Sequence, residues 1–86
     1  MFYTYVLFNG RTSRLYIGFS KNLKQRMVSH QKRDPAWQLV YSEAYASEAD
    51  ARQRERDLKQ YGSAWSHLKK RLENSLGLRK AGEALN

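Results

Sequence analysis

The chain has 86 residues, no cysteine, and 16 Lys/Arg against eight Asp/Glu, for a net charge of +8. That length supports one small core burying about 60–65% of the unfolded surface; the lack of cysteine excludes disulfides and a thiolate zinc site, in keeping with a reducing cytoplasm. No apolar run reaches the roughly 18 residues of a membrane span, the opening MFYTYVLF lacks the flanks of a signal peptide, and the positive excess points to a polyanionic partner, nucleic acid first.

The charge is uneven: residues 1–33 hold seven Lys/Arg and no carboxylate, Asp34 being the first. Residues 2–8 (FYTYVLF) are aromatic and β-branched, which favours a strand with Phe2, Thr4, Val6 and Phe8 on one face and Tyr3, Tyr5 and Leu7 on the other. Asn9-Gly10 signals a turn, Arg11 to Arg14 extend the loop, and Leu15 to Gly18 read as the antiparallel return of a hairpin. Whether Tyr5 sits opposite Tyr16 depends on a register the loop does not set. Ser20 or Asn22 can cap a helix running to about Gln31, with Leu23, Met27 and the ring of His30 as its apolar stripe. Arg26 and His30, four apart, share one side of it. Pro35 stops that helix from continuing.

Trp37 to Tyr45 reads as a third strand, alternating Leu39, Tyr41, Glu43 and Tyr45 against Gln38, Val40, Ser42 and Ala44. Ser47 caps a helix with acids in its first turn, ending near Tyr61 with Gly62 as a C′ residue. Ser63 can cap a last helix with the stripe Trp65, Leu68, Leu72 and Leu76. The expected class is α+β, in the order β-β-α-β-α-α, with a three-stranded antiparallel or mixed sheet flanked by helices. Residues 1–76 make the domain; residues 77–86 hold few large apolar side chains and are expected to form a frayed or disordered tail.

Several residues carry potential chemistry. Glu55 lies angularly between Ala51 and Leu58, inside the stripe that should face the protein. A carboxylate there must be paired, bind a metal or border a cleft, because burying it bare is prohibitively costly. The plain alternative is an edge residue bridging to Arg52 or Lys59. Arg26 beside His30 can contact a phosphate, or be solvated like most helical arginines. Tyr5 and Tyr16 lie on adjacent strands where their hydroxyls can converge, and a side chain at Gly18 would crowd whatever approaches the sheet edge. His67 reads as a surface residue too far from His30 to pair at a zinc. No phosphate-cradling GxxxxGKS/T loop, GxGxxG run or nucleophile elbow occurs. A lone carboxylate with an arginine and tyrosines suggests one-metal phosphoryl chemistry.

Tyr16-Ile17-Gly18, Arg26 eight residues after that glycine, His30 four later and Glu55 heading an E-x-x-L-K run together resemble the GIY-YIG nuclease superfamily. The likeness is to its small stand-alone bacterial members, akin to the N-terminal domain of the excision-repair incision subunit, and covers about residues 2–73. Tyr3-Thr4-Tyr5 stands where the family has G-I-Y, so only Tyr5 matches there. Asn74 is the candidate for the family's late asparagine, at a longer spacing after Glu55 than the family's.

The resemblance implies a metal-dependent endonuclease hydrolysing a DNA phosphodiester with one Mg²⁺ or Mn²⁺ held by Glu55. Arg26 would hold the phosphate oxygens, and Tyr5 would act as general base, helped by Tyr16 or His30. Free tyrosine titrates near 10, so that role expects the local cations to lower Tyr5. Arg14, Lys21, Lys24, Lys32 and Arg33 are the further candidate contacts to DNA, whether single-stranded, branched or duplex. A partner protein could supply specificity. The rival expectation is a non-catalytic nucleic-acid-binding module on the same fold, using the same cations on phosphates and the aromatics for stacking.

Overall fold

The structure is a computed structural model that describes residues 1–76; the expected C-terminal tail lies outside the described residues. The elements are β1 (Phe2–Asn9), β2 (Arg14–Ser20), α1 (Leu23–Arg33), β3 (Trp37–Tyr45), α2 (Glu48–Gln60), α3 (Gly62–Arg71) and a one-turn α4 (Glu73–Leu76). They form three layers. The antiparallel sheet, ordered β2-β1-β3, lies between α1 on one face and α2 to α4 on the other. The class is therefore α+β as expected, with all pairings antiparallel and one extra turn of helix at the end.

The most apolar strand is central. Thr4, Val6, Tyr5 and Leu7 are all buried, so β1 is covered on both faces. On one face Val6 joins Leu58, Leu68, Leu72 and Leu76, with Phe8, Ile17 and Trp65 against them. This is the stripe expected of the last helix, carried past a break at Leu72 into α4. Thr4 Oγ1 donates to the Ala51 carbonyl at 2.6 Å, fixing α2 over β1.

Tertiary structure settles four local details. The helix α1 is capped by Asn22, whose side chain accepts from Gln25 N–H, while Ser20 ends β2. In the hairpin the left-handed residue is Ser13 (φ 61°), and Asn9 Oδ1 accepts from Arg11 N–H and Thr12 N–H to shape the loop. Gly62 begins α3 instead of closing α2; the extended Tyr61 makes that junction, and Ser63 lies within α3. In β3 a bulge pairs Val6 with Tyr41 and Leu7 with Leu39, leaving Val40 as the extra residue. Val40 and Tyr41 then both pack on the core, and Leu39 moves to the α1 face, 41% exposed.

Two polar clamps hold the helices. Glu43 accepts from Tyr41 Oη at 2.6 Å, from Tyr45 Oη, and from Arg54 Nε and Nη2 at 3.0 and 3.2 Å, so β3 grips α2 one residue before Glu55. Asp34, following α1, accepts from Asn9 Nδ2 at 2.9 Å, from Arg11 and from Ala36 N–H, and these bonds hold its carboxyl down at about 2. The end of α1, with His30 on its last turn, is thereby tied to β1. No helix among the described residues is long and apolar enough to cross a membrane.

Candidate active site

The site grows from the pairing of β1 with β2, which sets Tyr5 opposite Gly18 and Leu7 opposite Tyr16. Tyr5 and Tyr16 are thus diagonal neighbours on one face, their rings 6.1 Å apart. The Tyr5 ring lies across Gly18: a Cβ built there would meet Tyr5 Oη at 2.5 Å, Tyr5 Cζ at 2.6 Å and Tyr16 Cε2 at 2.8 Å. The clearance expected at Gly18 is therefore for the tyrosines of the site itself.

From the other layer α1 lowers His30 onto this pair. His30 is buried; its Nε2 lies 3.1 Å from Tyr5 Oη, and its ring is 4.8 Å from that of Tyr16. Trp37 packs edge-on against both Tyr16 and His30, 6.4 Å from each. Burial and the neighbouring Tyr16 push the Tyr5 hydroxyl up to about 12, and the Arg26 guanidinium beside it only partly opposes them. The expectation that local cations would lower Tyr5 is overturned, because a fully buried phenol is penalised more by desolvation than one arginine restores. His30 moves down, through burial and then through Arg33 and Arg26, so it is neutral at pH 7 and can accept the proton of Tyr5.

A groove of about 800 Å³ crosses the β2 edge between α1 and α2. Tyr16, Phe19 and Ser20 form its floor, and the cap residue Asn22 with Arg26, Ser29 and Arg33 on one face of α1 lines one wall. Arg52 and Glu55 line the other. Among the described residues neither Arg26 nor Arg33 has a carboxylate partner. The Glu55 side chain is 19% exposed and its Oε2 lies 3.0 Å from Lys59 Nζ, so it is at once the i,i+4 edge residue and a wall of the groove.

A buried tyrosine–histidine pair, a floor tyrosine, two arginines with no carboxylate partner among the described residues and one opposing carboxylate thus meet around a single groove. The model of the GIY-YIG catalytic domain family matches residues 1–71. The chain belongs to the GIY-YIG family. Membership of this family supports a nuclease class with nucleic acid as substrate. Nucleases of this family generally use divalent metal ions. No curated protein and no solved structure matches the chain significantly.

Within this GIY-YIG domain, Tyr16, Arg26 and Glu55 line the groove, and Tyr5, Gly18 and His30 lie directly behind its floor. Of the expected phosphate contacts, Lys21 and Arg33 line the groove; Arg14, Lys24 and Lys32 are exposed outside it, Lys24 bordering a separate depression near Leu39. Asn74 sits on α4, exposed and not in the groove. Gln25 and Ser29 line the groove and were not singled out from the sequence, although they flank Arg26 by one and three residues on α1; Arg52, read there only as a partner for Glu55, lines it too.

The donor set suits one hard divalent ion. Glu55 is a lone carboxylate on an open wall, and no group of three His, Cys, Asp or Glu exists among the described residues to form an all-protein cage. An ion of the Mg²⁺ type accepts one carboxylate and completes its shell with waters and phosphate oxygens.

Proposed function

We propose that the chain is a DNA endonuclease that hydrolyses a phosphodiester bond with a single Mg²⁺ or Mn²⁺ anchored at Glu55. The observation that carries this reading is the position of Glu55 across the groove from Arg26 and Arg33, which have no carboxylate partner among the described residues, with Tyr16 on the floor between the walls. Arg26 and Arg33 bind the non-bridging oxygens of the scissile phosphate as charge-assisted donors and orient it over Tyr16. Glu55 would hold the ion, which would supply positive charge against the negative charge that develops on the leaving oxygen.

Proton movement runs inward. Tyr5, raised to about 12, is poorly suited to rest as a phenolate, but it need not. As the attacking water gives a proton to Tyr16 Oη, Tyr16 passes its own to Tyr5, and Tyr5 passes its own to His30 Nε2 across the 3.1 Å contact. The new P–O bond forms and the electron pair of the broken bond leaves with the displaced oxygen. Phosphate bound to Arg26 and Arg33 offsets two of the three influences that depress His30, so substrate itself makes the histidine a better acceptor.

Labelled single-stranded, flapped and duplex DNA incubated with Mg²⁺ or Mn²⁺ tests the reading: at least one form is nicked by the wild type. Glu55→Ala abolishes cutting and leaves binding near wild type. A cutting Glu55→Ala variant refutes the metal role, and a wild type that binds but never cuts would establish the binding module.

A further inference from the structure

The two ends of the groove are electrostatically unlike. At the Arg26 and Arg33 end the guanidinium groups have no carboxylate among the described residues. At the other end Glu48 takes both local cations: its Oε2 accepts from Arg52 Nε at 2.9 Å, and its Oε1 is 3.6 Å from Lys21 Nζ. The charge of these two cations is therefore partly offset by a carboxylate, which the charge of Arg26 and Arg33 is not among the described residues.

What that end offers is a shaped surface. The Arg52 guanidinium carbon lies 4.2 Å over the centroid of the Phe19 ring, and Phe19 is itself stacked beside Phe2, 6.5 Å away at 12°. One side of the guanidinium is thus backed by an aromatic shelf, and its edge is held by Glu48. Arg52 nevertheless lines the groove, with about half of its side chain exposed (49%). A planar cation packed on a ring, held at its edge and half exposed in the groove can serve as a stacking platform for a flat π-system.

We infer that Arg52, seated on Phe19 and held by Glu48, forms a subsite for one unpaired nucleobase of a DNA strand whose phosphate lies at Arg26 and Arg33. The subsite rests on the nuclease reading above and adds the form of its substrate. In a duplex both faces of a base are covered by its neighbours, so only an unstacked base can use the platform. The prior fixing of the guanidinium reduces the ordering cost of stacking. A single-stranded or distorted segment at the cutting point is the consequence.

The test uses binding alone, in EDTA, so that a failure to cut leaves it interpretable. The protein is titrated against fluorescent oligothymidylate and against a strand of equal length made wholly of abasic sugar-phosphate, which has the same charge and no bases. The wild type binds the base-bearing strand roughly tenfold more tightly, within the range of one stacked base. Arg52→Lys keeps the charge and loses the plane; it loses that preference while the salt dependence of binding stays unchanged, and Phe19→Leu lowers the preference in the same direction. Equal wild-type affinity for the two strands overturns the inference. So does an Arg52→Lys variant that keeps the preference or weakens on both strands alike.

Discussion

Gly18→Ala is the sharpest probe of the site, because the atoms it strikes are known. The added methyl would stand 2.5 Å from Tyr5 Oη and 2.6 Å from Tyr5 Cζ, where ordinary contact begins at 3.4 Å, so the ring must retreat by about 0.9 Å. Tyr5 is fully buried and held by His30, so that retreat disturbs packed neighbours. Overpacking of this kind costs about 2 kcal/mol. For a domain of this size that is a loss of roughly 8–16 °C in Tm. The same retreat displaces the hydroxyl from His30 Nε2, and misplacement by about an ångström costs on the order of 100-fold in kcat. Thermal melts read the first effect, and cleavage well below the melting temperature reads the second. A Tyr5→Leu background removes two of the three struck atoms and leaves Tyr16 Cε2 at 2.8 Å, so part of the destabilisation by Gly18→Ala is lost there, a non-additivity that locates the clash on Tyr5. Wild-type Tm and kcat in Gly18→Ala would refute the close packing of Tyr5 on Gly18.

Other perturbations have equally defined outcomes. Lys59→Ala frees Glu55 from its 3.0 Å partner; an exposed i,i+4 pair is worth about 0.3–0.5 kcal/mol, so the Mn²⁺ concentration for half-maximal cleavage falls about twofold. Glu43→Gln disrupts the half-buried carboxylate joining Tyr41, Tyr45 and Arg54; it lowers stability by about 2 kcal/mol in denaturant titration, with the refolded variant still binding DNA. His30 has a proton affinity depressed below its ordinary 6.5. The unfolded chain therefore takes up a proton that the folded chain refuses, and stability, full above pH 6.5, declines as pH falls below it. Tm at pH 5.5 is lower than at pH 7.5 in the wild type, and His30→Gln removes most of that difference.

Much of this was legible in the residues. The alternation of large apolar and aromatic side chains marked three strands, and the bounds of β3 came out as Trp37–Tyr45. The offsets of Arg26 and His30 after Gly18, and the inward phase of Glu55, put those residues on the helix faces where they lie. The double role of Glu55 was also visible, as a choice between pairing with Lys59 and bordering a cleft; the structure has both.

Sequence alone determined the local periods, and through them which residues share a face. It could not determine what lies opposite a face, because strand register, the extra residue at Val40 and the docking of helices depend on contacts between segments far apart in the chain. Only tertiary structure decided that Tyr5 covers Gly18 rather than facing Tyr16. It also decided the titration of Tyr5, since burial depends on the layers that close over a residue while neighbouring charges in sequence do not reveal it. Arg52 shows the same division: on α2 it reads as one more basic residue, and its seat on Phe19 exists only once the helix crosses the edge of β2.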